Sequence, residues 1–131
     1  MSDFYQTGVV ATLHRLGPSQ LEVLEQQLAR FAEQQPVALV LPALYAEFEK
    51  PAMEGILREL SQVRYVQQFV VTVARTERAQ FREVQQRLAV LPGEVRVVWN
   101  DGPRVQKLYQ TLQDKGLQTG PDGKERSCWM A

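Results

Sequence analysis

The run Val37-Ala38-Leu39-Val40-Leu41, closed by Pro42, decides how the rest of the chain is read. Five uninterrupted apolar residues are too few for a buried helix and suit a strand covered on both faces, as in a parallel sheet. Outward from it the period changes to that of helices. On the N-terminal side Leu21, Leu24, Leu28 and Phe31 are spaced by three and four, which puts them on one helix stripe. Ser19 is placed as its N-cap with Glu22 completing a capping box, and Gln35-Pro36 ends it. On the C-terminal side Met53, Ile56, Leu57, Leu60 and Val63 repeat the helical spacing, with Pro51 suited to a first turn.

The alternation continues. Residues 65–73, centred on Phe69-Val70-Val71, read as a second strand. Thr76 is placed as the cap of a helix carrying Phe81, Val84, Leu88 and Leu91, ended near Pro92-Gly93. Val95-Arg96-Val97-Val98-Trp99 is a third strand, followed by the turn signal Asn100-Asp101-Gly102-Pro103. In the last helix Val105, Leu108, Tyr109 and Leu112 face inward, and Gly116 serves as C-cap after Lys115. Strands alternating with helices of about 10–15 residues predict an α/β fold, a Rossmann-like and mostly parallel open sheet with helices on both faces. Ligands of such sheets bind beyond the carboxyl ends of the strands. This singles out three loops: 42–50, 74–76 and 100–104. Residues 116–131 show no period and read as loop.

Composition narrows the chemistry. The chain has 131 residues, with 15 Lys and Arg against 15 Asp and Glu, one His and one Cys. That length suits one domain with a real core. The formal net charge of +0 gives no global electrostatic case for nucleic acid or an anionic membrane. A hydrophobic fraction of 44% and a charged fraction of 23% are those of a globular chain, and no stretch reaches the roughly 20 apolar residues of a membrane helix. The N-terminus carries no secretion signal, so the expected location is the cytoplasm. Cys128 alone excludes an intramolecular disulfide framework and a multi-cysteine zinc site. There is no G-x-G-x-x-G, no P-loop and no G-x-S-x-G elbow. His14 lacks a companion nucleophile, and Cys128 beside Lys124 and Arg126 reads as an ordinary loop thiol.

Two segments carry candidate binding residues. In Leu41-Pro42-Ala43-Leu44-Tyr45-Ala46-Glu47 the small Ala43, with Pro42 and Leu44, lets a flat heterocycle approach the main chain, and Glu47 suits a ribose diol. The alternative is an ordinary strand-to-helix connection with Glu47 and Glu49 solvated near a helix N-terminus. In Asn100-Asp101-Gly102-Pro103-Arg104 the arginine opens a helix at the ligand edge, where phosphate is favoured; a turn selected for φ > 0 at Gly102 is the equal alternative.

Together these segments resemble a GT-A glycosyltransferase of the family-two type, in particular the glucosyl-3-phosphoglycerate synthase group and its bacterial, notably cyanobacterial, relatives. The carrying residues are Asp3-Phe4-Tyr5-Gln6-Thr7-Gly8 with Leu13-His14, Ala38-Leu39-Val40-Leu41-Pro42-Ala43-Leu44, Trp99-Asn100-Asp101-Gly102-Pro103-Arg104 and Gly123-Lys124-Glu125-Arg126. The resemblance implies a nucleotide-sugar-binding α/β domain over residues 1–115, with residues 116–131 a tail leading to an absent C-terminal half. It implies a UDP- or GDP-linked sugar held by Pro42, Ala43, Leu44, Glu47, Asn100, Asp101, Gly102, Arg104 and Lys124, the last in the position of the family's Gly-Lys-Gly loop. The full reaction would move a hexose, glucose by the family's habit, to a small acceptor such as 3-phosphoglycerate. Here Glu125 replaces the second glycine of that loop. Thr72-Val73-Ala74-Arg75 stands where many relatives carry an acidic residue. The Asp-x-Asp pair that holds Mg or Mn on the donor diphosphate is lacking, since the aspartates are Asp3, Asp101, Asp114 and Asp122. The expectation is therefore an N-terminal fragment, a frameshifted product or a decayed relative, inactive in transfer by itself. The alternative is a non-catalytic α/β interaction module or a homo-oligomer joined through an exposed sheet edge. A catalyst complete within 131 residues is disfavoured because no acid, base or nucleophile set assembles.

Overall fold

The structure, a computed structural model, describes residues 18–131. The expected residues Asp3 to Gly8, Leu13 and His14 lie outside the described residues. The elements run α1 (Pro18–Gln34), β1 (Val37–Leu44), α2 (Tyr45–Phe48), α3 (Pro51–Leu60), β2 (Val66–Ala74), α4 (Arg78–Leu88), β3 (Glu94–Trp99), α5 (Pro103–Asp114) and α6 (Lys124–Met130). The three strands form one open, all-parallel sheet in the order β1-β2-β3. This is the Rossmann-like α/β arrangement that the alternating periods predict.

The register sorts residues onto two faces. Leu39, Phe69 and Val95 lie abreast, as do Leu41, Val71 and Val97, and this face meets Phe48, Leu57, Val84 and Leu88 from α2, α3 and α4. Phe69 and Val73 are wholly buried. Each fully buried side chain of this kind contributes about 1.5–3 kcal/mol by burial. The opposite face carries Pro42 beside Thr72 and Val98, and α6 lies against β1 and β2. Among the described residues no helix is long and apolar enough to cross a membrane.

Several expectations are corrected. Among the described residues β1 is the edge strand of the sheet, and it is not buried on both faces, with Val37 and Val40 each 40% exposed. It also continues through Pro42 to Leu44. An edge strand tolerates proline because one side of its ladder needs no donor. The strand buried on both faces is β2, which has hydrogen-bonded neighbours on each side. On α1 the stripe does not become core: Leu21, Leu28 and Phe31 are exposed, whereas Ala32 is buried. Period reports which residues share a face, but not what that face meets. α1 begins at Pro18, so Ser19 lies inside the helix instead of capping it.

The cap of α4 is Glu77, not Thr76. Its side chain accepts from the Gln80 backbone, while the Glu77 N–H donates to Gln80 Oε1 at 2.8 Å, closing a capping box. Residues 116–131, read as loop, contain helix α6. Its first turn is supported by the Arg126–Asp122 ion pair at 2.5 Å, four residues apart. Gly116 takes the left-handed φ of +75° expected of a helix C-cap.

Phe69→Ala removes the largest wholly buried side chain of the central strand. We expect it to destabilise the chain by about 3–5 kcal/mol in urea unfolding, the usual cost of an aromatic cavity.

Candidate functional site

The carboxyl ends of β1 and β2 and the start of α6 enclose a cavity of about 230 Å³. Its apolar side is Pro42, Ala43 and Leu44, the last residues of β1. The chain then enters the single turn α2, which brings Glu47 to the rim, while Phe48 anchors the turn in the core at 2% exposure. Facing these across the cavity are Asp122, Gly123 and Lys124, with Ser127 one turn further along α6. Ala74 and Arg75 close the side at the end of β2. Pro42, Ala43, Leu44, Glu47 and Lys124, all expected at a nucleotide, are thus brought together across some 80 positions of sequence.

The other expected residues stand nearby in different roles. Asn100 is buried, and its Nδ2 donates to Ser127 Oγ at 2.9 Å, fastening α6 to the end of β3. Its backbone N–H donates to Val73 O at 2.9 Å, and its carbonyl accepts from Gln106 Nε2 at 2.7 Å. Asp101 Oδ2 accepts from the Thr76 backbone N–H at 3.0 Å, so its carboxylate holds the loop after β2. Gly102 has φ −71° and ψ 151°, an extended conformation, so the φ > 0 explanation for this glycine is corrected. The reason is space: a Cβ there would come within 2.9 Å of the Trp99 ring and 3.0 Å of the Trp99 carbonyl. Trp99 in turn stacks on Phe81 at 5.3 Å and donates from Nε1 to Thr76 O at 3.0 Å. Arg104 does not join the cavity. It is exposed near the start of α5, on a surface shared with Phe81, Trp99 and Pro103.

Three cavity residues were not singled out from sequence. Arg75 lies in the loop 74–76 that topology marks, but the family pattern directs attention to an acid at this place. Asp122 and Ser127 sit in the stretch read as loop; the Asp122–Arg126 spacing of four was the available helical signal.

Support for α6 comes also from α5. The Arg126 guanidinium lies 4.5 Å over the ring of Tyr109, which is buried. Burial holds the Tyr109 hydroxyl above the usual tyrosine range, partly opposed by the Arg126 charge. Thr72 Oγ1, Asn100 Oδ1 and the Tyr109 hydroxyl are buried without a hydrogen-bond partner among the described residues.

Among the described residues no three His, Cys, Asp or Glu side chains group to hold an ion. Each described aspartate is engaged: Asp101 with Thr76, Asp114 with Gln110 at 2.8 Å, Asp122 with Arg126.

Compared with known proteins, the chain is 41% identical over its whole length to a glucosyl-3-phosphoglycerate synthase of Persephonella marina. It is 30% identical over 98% of its length to a protein of the same name from Methanococcoides burtonii. It spans 32% of the length of each of these curated relatives. No family model matches it, and no solved structure does. The chain is thus homologous from end to end to part of the glucosyl-3-phosphoglycerate synthases, a glycosyltransferase group.

Two outcomes follow. Gly102→Ala forces a shift at Trp99 and should lower stability by about 1–3 kcal/mol in chemical denaturation. Tyr109 titrates higher folded than unfolded, so its burial stabilises the fold below about pH 10 and that stabilisation is lost as pH rises through the folded value. Stability curves should therefore fall above about pH 10, and Tyr109→Phe should flatten that fall while changing little at neutral pH.

Proposed function

We propose, from the homology of the whole chain with part of the glucosyl-3-phosphoglycerate synthases, that it is the nucleotide-sugar-binding portion of such a glycosyltransferase. The observation that carries this is the cavity whose lining joins the apolar Pro42, Ala43 and Leu44 with Glu47 and Lys124. A nucleoside diphosphate presents a flat apolar base, a diol and a polyanion. The Pro42–Leu44 wall suits the base, Glu47 accepts from the ribose diol, and Lys124 neutralises diphosphate charge. Asn100 and Asp101 serve the site indirectly, by holding α6 and the loop after β2 in place, and Gly102 by leaving room for the Trp99 ring. The donor is a UDP- or GDP-linked hexose, with glucose favoured, and the acceptor a small phosphorylated acid of the 3-phosphoglycerate kind. A divalent ion such as Mg or Mn on the donor would need ligands other than those described here, and no step is assigned to it. Alone, the chain is expected to bind donor without completing transfer.

A second role is favoured by the edge position of β1 among the described residues, where Val37 and Val40 are exposed: a non-catalytic interaction module or homo-oligomer. A stable dimer in light scattering together with no nucleotide affinity would select it.

Calorimetric titration with UDP and GDP, with and without Mg²⁺ or Mn²⁺, is the direct check. We expect saturable binding of at least one nucleotide, weakened about ten- to a hundredfold in Lys124→Ala, the usual effect of losing one charged hydrogen-bond donor. No heat with any nucleotide overturns the proposal.

A further inference from the structure

Arg75 is the one described non-glycine residue with a positive φ, at +55°. An L-residue is disfavoured in that region, so it persists only where its surroundings enforce it. They do so here from the next residue on. The Thr76 N–H is held by Asp101 Oδ2 and the Thr76 carbonyl by Trp99 Nε1, each at 3.0 Å. On the other side Val73 O is held by the Asn100 N–H at 2.9 Å. The turn between β2 and α4 is thus tied to the end of β3 on both flanks of Arg75. Its side chain is exposed and lines the same cavity as Lys124.

The charges around that cavity are uneven in use. Two cations, Arg75 and Lys124, and two carboxylates, Glu47 and Asp122, line it. Asp122 is already paired with Arg126 at 2.5 Å, whereas neither Arg75 nor Lys124 takes part in an ion pair or side-chain hydrogen bond among the described residues. The uncommitted balance is positive, two cations against Glu47. Ala74, preceding Arg75 at the strand end, adds no opposing charge.

We propose that Arg75 is a diphosphate-binding residue of this site, presented to the cavity by its enforced left-handed backbone and acting with Lys124 on one anion. The planar guanidinium offers a phosphate two parallel N–H donors, which a single ammonium does not. The assignment deepens the nucleotide reading above and rests on it for the identity of the ligand. For the anion it stands on the cavity's own charges.

The test uses Arg75→Gly and Arg75→Asn, two residues that accept a positive φ and so separate loss of the guanidinium from damage to the turn. UDP, GDP and inorganic pyrophosphate are titrated into the full chain and both variants, and thermal midpoints are measured in parallel. We expect at least tenfold weaker binding of nucleotide diphosphate and of pyrophosphate in both variants, with midpoints within a few degrees of wild type. Unchanged affinities would overturn the role of Arg75 and leave the nucleotide reading standing. Pyrophosphate binding that depends on Arg75, without binding of UDP or GDP, would overturn the nucleotide reading and support Arg75 as an anion ligand. No binding of any of the three overturns both.

Discussion

Strand β2 has a hydrogen-bonded neighbour on each side and apolar or small residues on both faces, and that double demand organises the described residues. Phe69, Val71 and Val73 on one face require cover from α2, α3 and α4. Val70, Thr72 and Ala74 on the other are also buried, and α6 lies over that side of β1 and β2. Because the strands are parallel, their carboxyl ends come together at one edge, and the loops leaving them share it. The cavity is a consequence of this geometry before any side chain in it is considered.

The edge is then stiffened by polar contacts that cross between strands. Asp101 and Trp99 hold Thr76, while Asn100 holds both Val73 and Ser127. Such contacts determine where Arg75 and Lys124 stand, and a site needs supporting groups of this kind to keep its charged residues within reach of one anion. At the end of the second strand Ala74 is followed by Arg75, which adds a cation to the edge that carries Lys124.

Much of the fold was legible in the residues. The run 37–41 gave a strand, the three-and-four spacings gave α3, α4 and α5, and the alternation gave a parallel sheet. The loop 42–47 and Lys124 were legible as a candidate site only through the family resemblance, since spacing alone favours an ordinary connection for the first and a solvated loop for the second. Arg75, the role of Asp101 as a turn anchor, and the reason for Gly102 were not legible. Each depends on a partner more than 20 positions away or on a neighbouring ring filling space, and no local pattern encodes that.

The amino-acid order alone determined the element types and their succession, because hydrophobic period, proline and capping chemistry act over a few residues. Tertiary structure decided which strand is central, which leaves β1 as an edge and α1 with Leu21, Leu28 and Phe31 exposed. It also decided that residues 124–130 become a helix lying on β1 and β2. A seven-residue helix is too short to be stable by propensity and forms where packing holds it. Here that packing is Ser127 against Asn100 and Arg126 over Tyr109, contacts made only once the sheet has brought those residues together.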